Sequence, residues 1–411
     1  MKVYLNKFYN ILSNKFYFKM LYLFVALSFS TVLNDFYGIK LLNKLCLAWG
    51  LLLIITSIFD IIFRKNKVYY FQFFLYLFLI LTLALNLFRY PTSENLKIWL
   101  VNLIILESIF SIDTYKSKSV LIKELNIFSY LYTFITFILS FISLIIIFSN
   151  KSIERVLTFS NGISTTISFS GLFSNENSLG IAAGMSFIIS LYILLSTHSN
   201  KIKIFYCFNA ILQLVTLLIS GGRSALLLVL SLIFILIFVK FKNVWIRLLM
   251  LFSPTLLIPF LFKLSNTTLH YIFTGREYIW QAAWPIIKFF PLVGIGNSNK
   301  ISTLIANQQH ELRGVEAGGL HNIYIEIATV NGLVATALIL LFISCTFLFL
   351  IRKIDKINSK TEKYFFSVLL TLVFGIPVIN LMESSLVYII SFISIIFWVY
   401  TGYLVAILDK E

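Results

Sequence analysis

Charge is what this sequence has least of. Of its 411 residues only 12% are Asp, Glu, Lys or Arg, about half of the roughly 25% found in soluble domains. That scarcity excludes a soluble fold, because 59% of the residues are hydrophobic and 17% aromatic, more than a water-exposed globule can bury. Cysteine is nearly as scarce. Cys46, Cys207 and Cys345 lie singly inside apolar runs, which argues against a disulfide framework and a thiolate metal site. The four histidines are not clustered, and no Asp-x-Asp pair, P-loop or dinucleotide fingerprint occurs. Neither a metal nor a cofactor is therefore expected.

Apolar runs fill most of the rest. Reading them against breakers places spans near residues 20–34, 41–63, 68–88, 96–112, 125–149, 177–197, 202–219, 224–240, 244–262, 320–351, 364–381 and 384–408, where a hydrocarbon core needs roughly 20 apolar residues per helix. The expected fold is all-α: a polytopic membrane protein of about 12 transmembrane helices, one integral domain over residues 1–411 with neither an internal repeat nor a soluble domain.

Lys plus Arg number 33 and Asp plus Glu 17, a net charge of +16. In a soluble chain that excess would suggest nucleic acid, which is not expected as a partner here. The basic residues fall between apolar runs, at Lys2 to Lys19, Arg64/Lys65/Lys67, Lys116/Lys118/Lys123, Lys201/Lys203, Lys240/Lys242/Arg247 and Arg352/Lys353/Lys356/Lys360/Lys363. These are alternate connections, the pattern that marks the cytoplasmic side. An even number of spans returns both termini to that side. No small-residue cleavage site follows the first apolar run, which reads as a retained helix rather than a signal peptide.

The remaining connections face outward, and two are long. Residues 150–176 are rich in Ser, Thr and Asn, and residues 263–319 form the long polar outer loop. A loop of that size in a compact protein is usually functional or disordered. Trp280, Trp284, Pro285, Pro291 and several glycines point to an ordered, partly amphipathic element.

Polar residues gather at this outer edge in three stretches. SGGRSALLL puts Arg223 at the end of a span. It either snorkels to a lipid headgroup or, with Gly221 and Gly222 freeing backbone N–H groups beside it, holds a phosphate. TGREYIWQAAWPIIKFFPLVGIGNSN, residues 274–299, sets Arg276 before an apolar face of Ile279, Trp280, Ala283 and Ile287, spaced for a helix lying on the membrane surface. GGLHNIYIEIA, residues 318–328, puts His321 and Asn322 at the mouth of a span, with Tyr324 on the face of His321 and Glu326 pointing elsewhere. A lone histidine there is either a polar cap or a base. Convergence favours the base, since Arg223, Arg276 and His321 are all expected at the outer surface. Asn175, Glu176 and Asn177 start another span there, as caps or substrate contacts. Glu383 either orients a cation or ends a helix. His198, His270 and His310 have no comparable setting.

In order and spacing, SGGRSALL, the 274–299 stretch and HNIYIEIATVNGLVA resemble the O-antigen ligase and O-antigen polymerase superfamily of bacterial membrane glycosyltransferases. The motifs fall within residues 170–340. The resemblance implies a GT-C-like fold and functional roles for Arg223, Arg276 and His321, with Gly332 closing the last motif. Asn331 stands where an acidic residue often precedes that glycine, and Asn175-Glu176-Asn177 replaces the more usual Asn-Pro-Asn. The implied donor is a glycan on undecaprenyl pyrophosphate, at the outer leaflet of the bacterial cytoplasmic membrane. The arginines would stabilise the pyrophosphate charge without a metal, and His321 would take the proton of the acceptor hydroxyl. Asn322 would hold the imidazole ring, Tyr324 or Glu326 would help orient the site, Asn175 and Asn177 would contact substrate, and Trp280 and Trp284 would anchor the loop or stack on sugars. A flippase and a chain-length regulator are the further partners implied.

A polymerase is favoured over a ligase that delivers the glycan to lipid A core. The Ile-, Lys-, Asn-, Phe- and Tyr-rich composition suggests an AT-rich genome, common among Gram-positive bacteria that make capsules and lack lipid A. The alternative of another class is a polysaccharide flippase or transporter. It would place polar residues near the midplane in repeated halves, whereas here they collect at the outer edge.

Overall fold

A computed structural model describes residues 11–63, 66–149, 169–257, 259, 263–310, 312, 315 and 319–410. Lys2, Lys7, Arg64, Lys65, Gly318, residues 150–168 and the side chain of His270 lie outside the described set.

The chain runs through α1 (Lys15–Phe29), α2 (Tyr37–Phe63), α3 (Tyr70–Phe88), α4 (Ser93–Ile104, continued by a π-helical turn at Ile105–Ile109), α5 (Lys118–Phe148), α6 (Glu176–Ser196), α7 (Asn200–Ser220) and α8 (Arg223–Lys240). It continues through α9 (Val244–Phe252), α10 (Asn266–Phe273), α11 (Arg276–Phe289), α12 (Lys300–Ala306), α13 (Ile323–Asp355), α14 (Lys360–Ile379) and α15 (Phe392–Leu408). This is the expected all-α polytopic architecture. Among the described residues eight helices are long and apolar enough to cross a membrane: α2, α3, α5, α6, α7, α8, α13 and α14. The other four expected spans correspond to the shorter helices α1, α4, α9 and α15. α9 passes into a 3-10 turn at Ser253–Leu257, where Pro254 has no N–H to continue an α-helix.

The run expected to be helical over 384–408 becomes so only at Phe392. Ahead of it the irregular backbone is satisfied by side chains, as it must be away from water. Ser385 N–H donates to Asn380 Oδ1 (2.8 Å) and Tyr388 N–H to Asn102 Oδ1 (2.6 Å). The Leu386 carbonyl accepts from Ser394 Oγ (3.2 Å) and Trp398 Nε1 (2.9 Å). Ser391 then caps α15, every residue of which is buried against α1, α5, α13 and α14.

One end of the bundle is stitched by ion pairs between helix ends. Lys67 meets Asp409 (2.7 Å), Lys118 meets Glu362 (3.1 Å), and Arg247 grips Asp355 through two nitrogens (2.6 and 2.9 Å). Two of the basic residues that mark this end are interior rather than solvated. Lys19 is 1% exposed and donates to Ser111 Oγ (2.7 Å), and Lys116 pairs with Asp113 (3.0 Å) and Glu124 (2.9 Å). Between α5, α6 and α7 the buried pairs Thr136–Ser186 (2.7 Å), Ser140–Gln213 (2.8 Å) and Asn209–Ser190 (2.9 Å) supply the interhelical hydrogen bonds that help helices associate in lipid.

α13 is two helices joined at a break. Gly332 has φ 85° and ψ 173°, a conformation essentially confined to glycine. The carbonyls of Thr329 and Val330 lose their helical donors there and accept instead from Ile295 N–H (3.0 Å) and Gly296 N–H (2.9 Å) of the long loop, while Leu333 N–H turns to the Pro291 carbonyl (2.7 Å). Helix lengths require the bend. Asp355 meets Lys363 (3.6 Å) at one end and Ile323 N–H meets the Asn380 carbonyl (3.0 Å) at the other. Between those contacts α13 would run roughly 48 Å as a straight helix and α14 roughly 26 Å. Residues 323–331 must therefore turn aside.

A Cβ on Gly332 would overlap the Leu292 carbonyl, and a non-glycine residue held in such a conformation costs about 1–3 kcal/mol. Gly332→Ala should therefore lower the thermal midpoint of the detergent-solubilised protein, whereas Gly38→Ala, with nothing within 4 Å, should leave it near wild type. Equal midpoints for the two variants would show that the break is not needed.

Candidate functional site

The N-termini of α6, α8, α11 and α13 converge at the other end of the bundle, around Glu383. Glu383 Oε1 accepts from Arg276 Nη2 (3.2 Å), at the start of α11, and from Ser224 Oγ (3.1 Å), beside Arg223 at the start of α8. Its backbone carbonyl accepts from Ile323 N–H (3.0 Å), the first residue of α13. Glu176, the first residue of α6, is close enough for its charge to act on Glu383. Burial pushes the Glu383 carboxyl above the usual carboxylate range, and Arg276 and Ser224 oppose that shift. Helix N-termini carry partial positive charge, so four of them meeting here favour an anion.

His321 precedes α13 with φ 52°, a left-handed conformation that histidine tolerates better than most residues. Its chain neighbours are fixed on both sides. Leu320 N–H donates to Glu326 Oε2 (3.2 Å), and the Leu320 carbonyl accepts from Trp280 Nε1 (2.9 Å). Asn322 caps α13, its Oδ1 accepting from the N–H groups of Tyr324 (3.0 Å) and Ile325 (3.1 Å), while its Nδ2 donates to the Leu381 carbonyl (3.0 Å). Burial and, after it, the nearby Arg276 charge lower the His321 pKa from 6.5 to about 4. The imidazole is therefore neutral at pH 7 and can accept a proton. Thr274, two residues before Arg276, also has positive φ (57°), an outlier for a β-branched side chain.

Arg276 and His321 thus come together as the sequence implies, and Glu383 orients a cation. Arg223 reaches the same region by another route: its Nη1 donates to the Ile272 carbonyl (3.3 Å) at the end of α10. Asn175 is the cap of α6, accepting from Ser178 N–H (2.8 Å), and Asn177 packs against Gly222, the residue before Arg223. Tyr324 donates its hydroxyl to the Pro377 carbonyl (2.9 Å).

Three expectations need correction. Asn322 does not serve to hold the imidazole ring; its amide is spent on the helix cap and Leu381. Glu326, pointing away from His321 as expected, is committed to Lys300 (2.6 Å) in a buried ion pair and acts on the site through the backbone of Leu320. The α11 face containing Ile279, Ala283 and Ile287, expected to lie on the membrane, is buried inside the protein. Ile279 and Ala283 pack there with Ile295, Leu304, Val315 and Leu320, and with the half-buried Trp280 against them. Periodicity identified the apolar face, and the partner turned out to be the loop itself.

Sequence reasoning missed Ser224, Lys300 and Tyr388, whose hydroxyl donates to Asn331 Oδ1 (2.6 Å). None belongs to a recognisable spacing. A signal for Glu383 existed, since a carboxylate at the edge of an apolar run needs a partner. Among the described residues no group of three or more His, Cys, Asp or Glu side chains is arranged to hold a metal ion.

Removing one partner of a buried ion pair typically costs about 3–5 kcal/mol, so Lys300→Met should destabilise strongly by leaving the Glu326 carboxylate without its cation. Adding Glu326→Gln, whose amide oxygen still accepts from Leu320, should recover much of the loss. Denaturation in detergent would compare the two, and no recovery in the double variant would count against this role for the pair.

Residues 208–340, about one third of the chain, match the family model described as O-antigen ligase. That stretch includes Arg223, Arg276, Lys300, His321 and Gly332, whereas Glu383 and the Asn175–Asn177 triplet lie outside it. No curated protein matches the chain. Over this third of its length, set within an all-α polytopic fold, the chain is similar to the O-antigen ligase family.

Proposed function

We propose that the protein polymerises a surface polysaccharide at the extracytoplasmic face of the bacterial cytoplasmic membrane. It transfers a glycan from undecaprenyl pyrophosphate to a sugar hydroxyl of a lipid-linked repeat unit. The observation that carries this reading is a neutral, half-buried His321 beside an Arg276 held by Glu383, where four helix N-termini meet.

In the proposed reaction the acceptor oxygen attacks the anomeric carbon as the bond from that carbon to the pyrophosphate oxygen breaks. The bonding electrons leave on the pyrophosphate, and the acceptor proton passes to His321. Arg276, with one nitrogen on Glu383, directs its other donors in a fixed plane toward the departing charge. Arg223 and the N-terminus of α8, whose cap residue Gly222 has no side chain, add to the same field. Asn322, Tyr324, Glu326 and Trp280 support the site by fixing the backbone around His321, Asn175 and Asn177 line its α6 side, and no metal is required.

The ligase reading is favoured by the description of the matching family. An assay with purified protein and lipid-linked repeat units separates the two: a ladder of products supports the polymerase, and transfer to lipid A core without a ladder supports the ligase. His321→Ala should lower the rate by about 10²–10⁴-fold, the usual share of a general base. Arg276→Lys should also be impaired, because lysine lacks the planar fork. Retained ladder formation in both variants would sink the assignment.

The active base is neutral imidazole, present above its pKa. kcat/KM, which reports the free enzyme, should therefore hold its activity below pH 6.5 and lose it near pH 4. In Arg276→Gln the residual activity should lose it at higher pH, because a charge that disfavours protonation is gone. An acid limb already near 6.5 in the wild type would remove His321 from the role.

A further inference from the structure

With its Ile279 face turned inward, α11 presents a different apolar surface at its C-terminal end. Trp284 is 57% exposed, Phe289 79% and Leu292 65%, and Lys288 Nζ lies 5.4 Å from the Trp284 ring centre. This patch continues an existing lipid-facing surface. Pro291 is hydrogen-bonded to Leu333 (2.7 Å), so Leu292 meets α13 where the exposed Leu333 and Val334 begin the outer side of its spanning part, followed by the exposed Leu340 and Leu341. From the break to the basic residues Arg352 and Lys353, that part of α13 covers roughly 28 Å, close to the roughly 30 Å of a hydrocarbon core. The Trp284 patch therefore stands at the height where hydrocarbon gives way to headgroups. Tryptophan and lysine are enriched at that boundary.

We infer that Trp284, Lys288, Phe289 and Leu292 form a membrane anchor whose partner is the phospholipid leaflet. The three apolar side chains enter the upper acyl region, and the Lys288 ammonium pairs with anionic headgroup phosphates. α11 carries Arg276 at its opposite end, roughly 20 Å away, so the anchor fixes the height of Arg276 above the bilayer.

The test is depth-resolved quenching in nanodiscs of phosphatidylcholine and phosphatidylglycerol. The chain has six tryptophans, and the difference between wild type and Trp284→Phe isolates the emission of Trp284; matching thermal midpoints verify that both are folded. Lipids brominated near the headgroup end of the chain should quench this component strongly, and those brominated at the methyl end weakly. Replacing phosphatidylglycerol with phosphatidylcholine should weaken the shallow quenching in the wild type and leave Lys288→Gln unchanged. A Trp284 component quenched by aqueous acrylamide and untouched by brominated lipid would overturn the anchor. So would a dimer that dissociates on Trp284→Phe without any lipid quenching, which would assign the face to a second copy of the chain.

Discussion

A peptide group freed from a helix inside a membrane protein must find another partner, and this fold rests on how it meets that demand. At Gly332 the carbonyls of Thr329 and Val330 pass from the helix to the N–H groups of Ile295 and Gly296, and Leu333 N–H passes to Pro291. The exchange fastens the long loop to α13 by backbone alone, with the hydroxyl of Tyr90 on the Gly294 carbonyl securing it from the other side. Once that seam is closed, the end of α11 and the start of α12 are fixed, and Lys300 reaches Glu326 (2.6 Å). The positions of Arg276 and His321 at the far ends of α11 and α13 follow from it. The same rule explains residues 380–391, where Asn102, Asn380, Ser394 and Trp398 replace the missing helical partners and leave Glu383 at the centre of the site.

The electrostatics of that centre follow from its construction. Convergent helix N-termini and two arginines favour negative charge, and in the free protein Glu383 meets part of that demand. The same field, added to burial, keeps His321 unprotonated. Under the proposed reaction an arriving pyrophosphate would bring negative charge toward Arg276 and offset its effect on the imidazole. The pKa of His321 would then move back toward its ordinary range. A base is more effective when its pKa approaches the working pH, so the donor itself would improve the group that must accept the proton.

Hydropathy made the eight long helices legible, because a run of apolar residues has few other ways to be stable in lipid. It failed at 384–391, where Leu386, Val387, Ile389 and Ile390 look like the start of a span and the backbone is irregular. The deciding partners, Asn102 above all, lie far away in sequence. It also misjudged α11: Ile279 and Ala283 are apolar with helical spacing, which defines a face but not whether lipid or protein covers it. In the site, the order of the motifs was enough to bring Arg276 and His321 together. Glu383 as the group joining them was visible only as an isolated carboxylate, and Lys300 carried no mark that separated it from a solvated surface lysine.

Backbone strain gives the last link between the seam and the chemistry. Thr274 and His321 both hold positive φ, and each lies at the entry to a helix that bears a site residue. Such conformations cost about 1–3 kcal/mol each and persist only when the surroundings over-determine them. Around His321 that determination is explicit: both peptide groups of Leu320 are held, by Glu326 and Trp280, and α13 is capped at once by Asn322. Trp280 in turn belongs to the packed loop, against the cluster of Ile279, Ile295 and Leu304, and Glu326, on α13, is tied to that loop by Lys300. Loosening the loop would therefore release His321 from its strained position before it disturbed any spanning helix. The geometry of the base is thus held by the interior of the loop, and the helical bundle supplies the platform to which that loop is sewn.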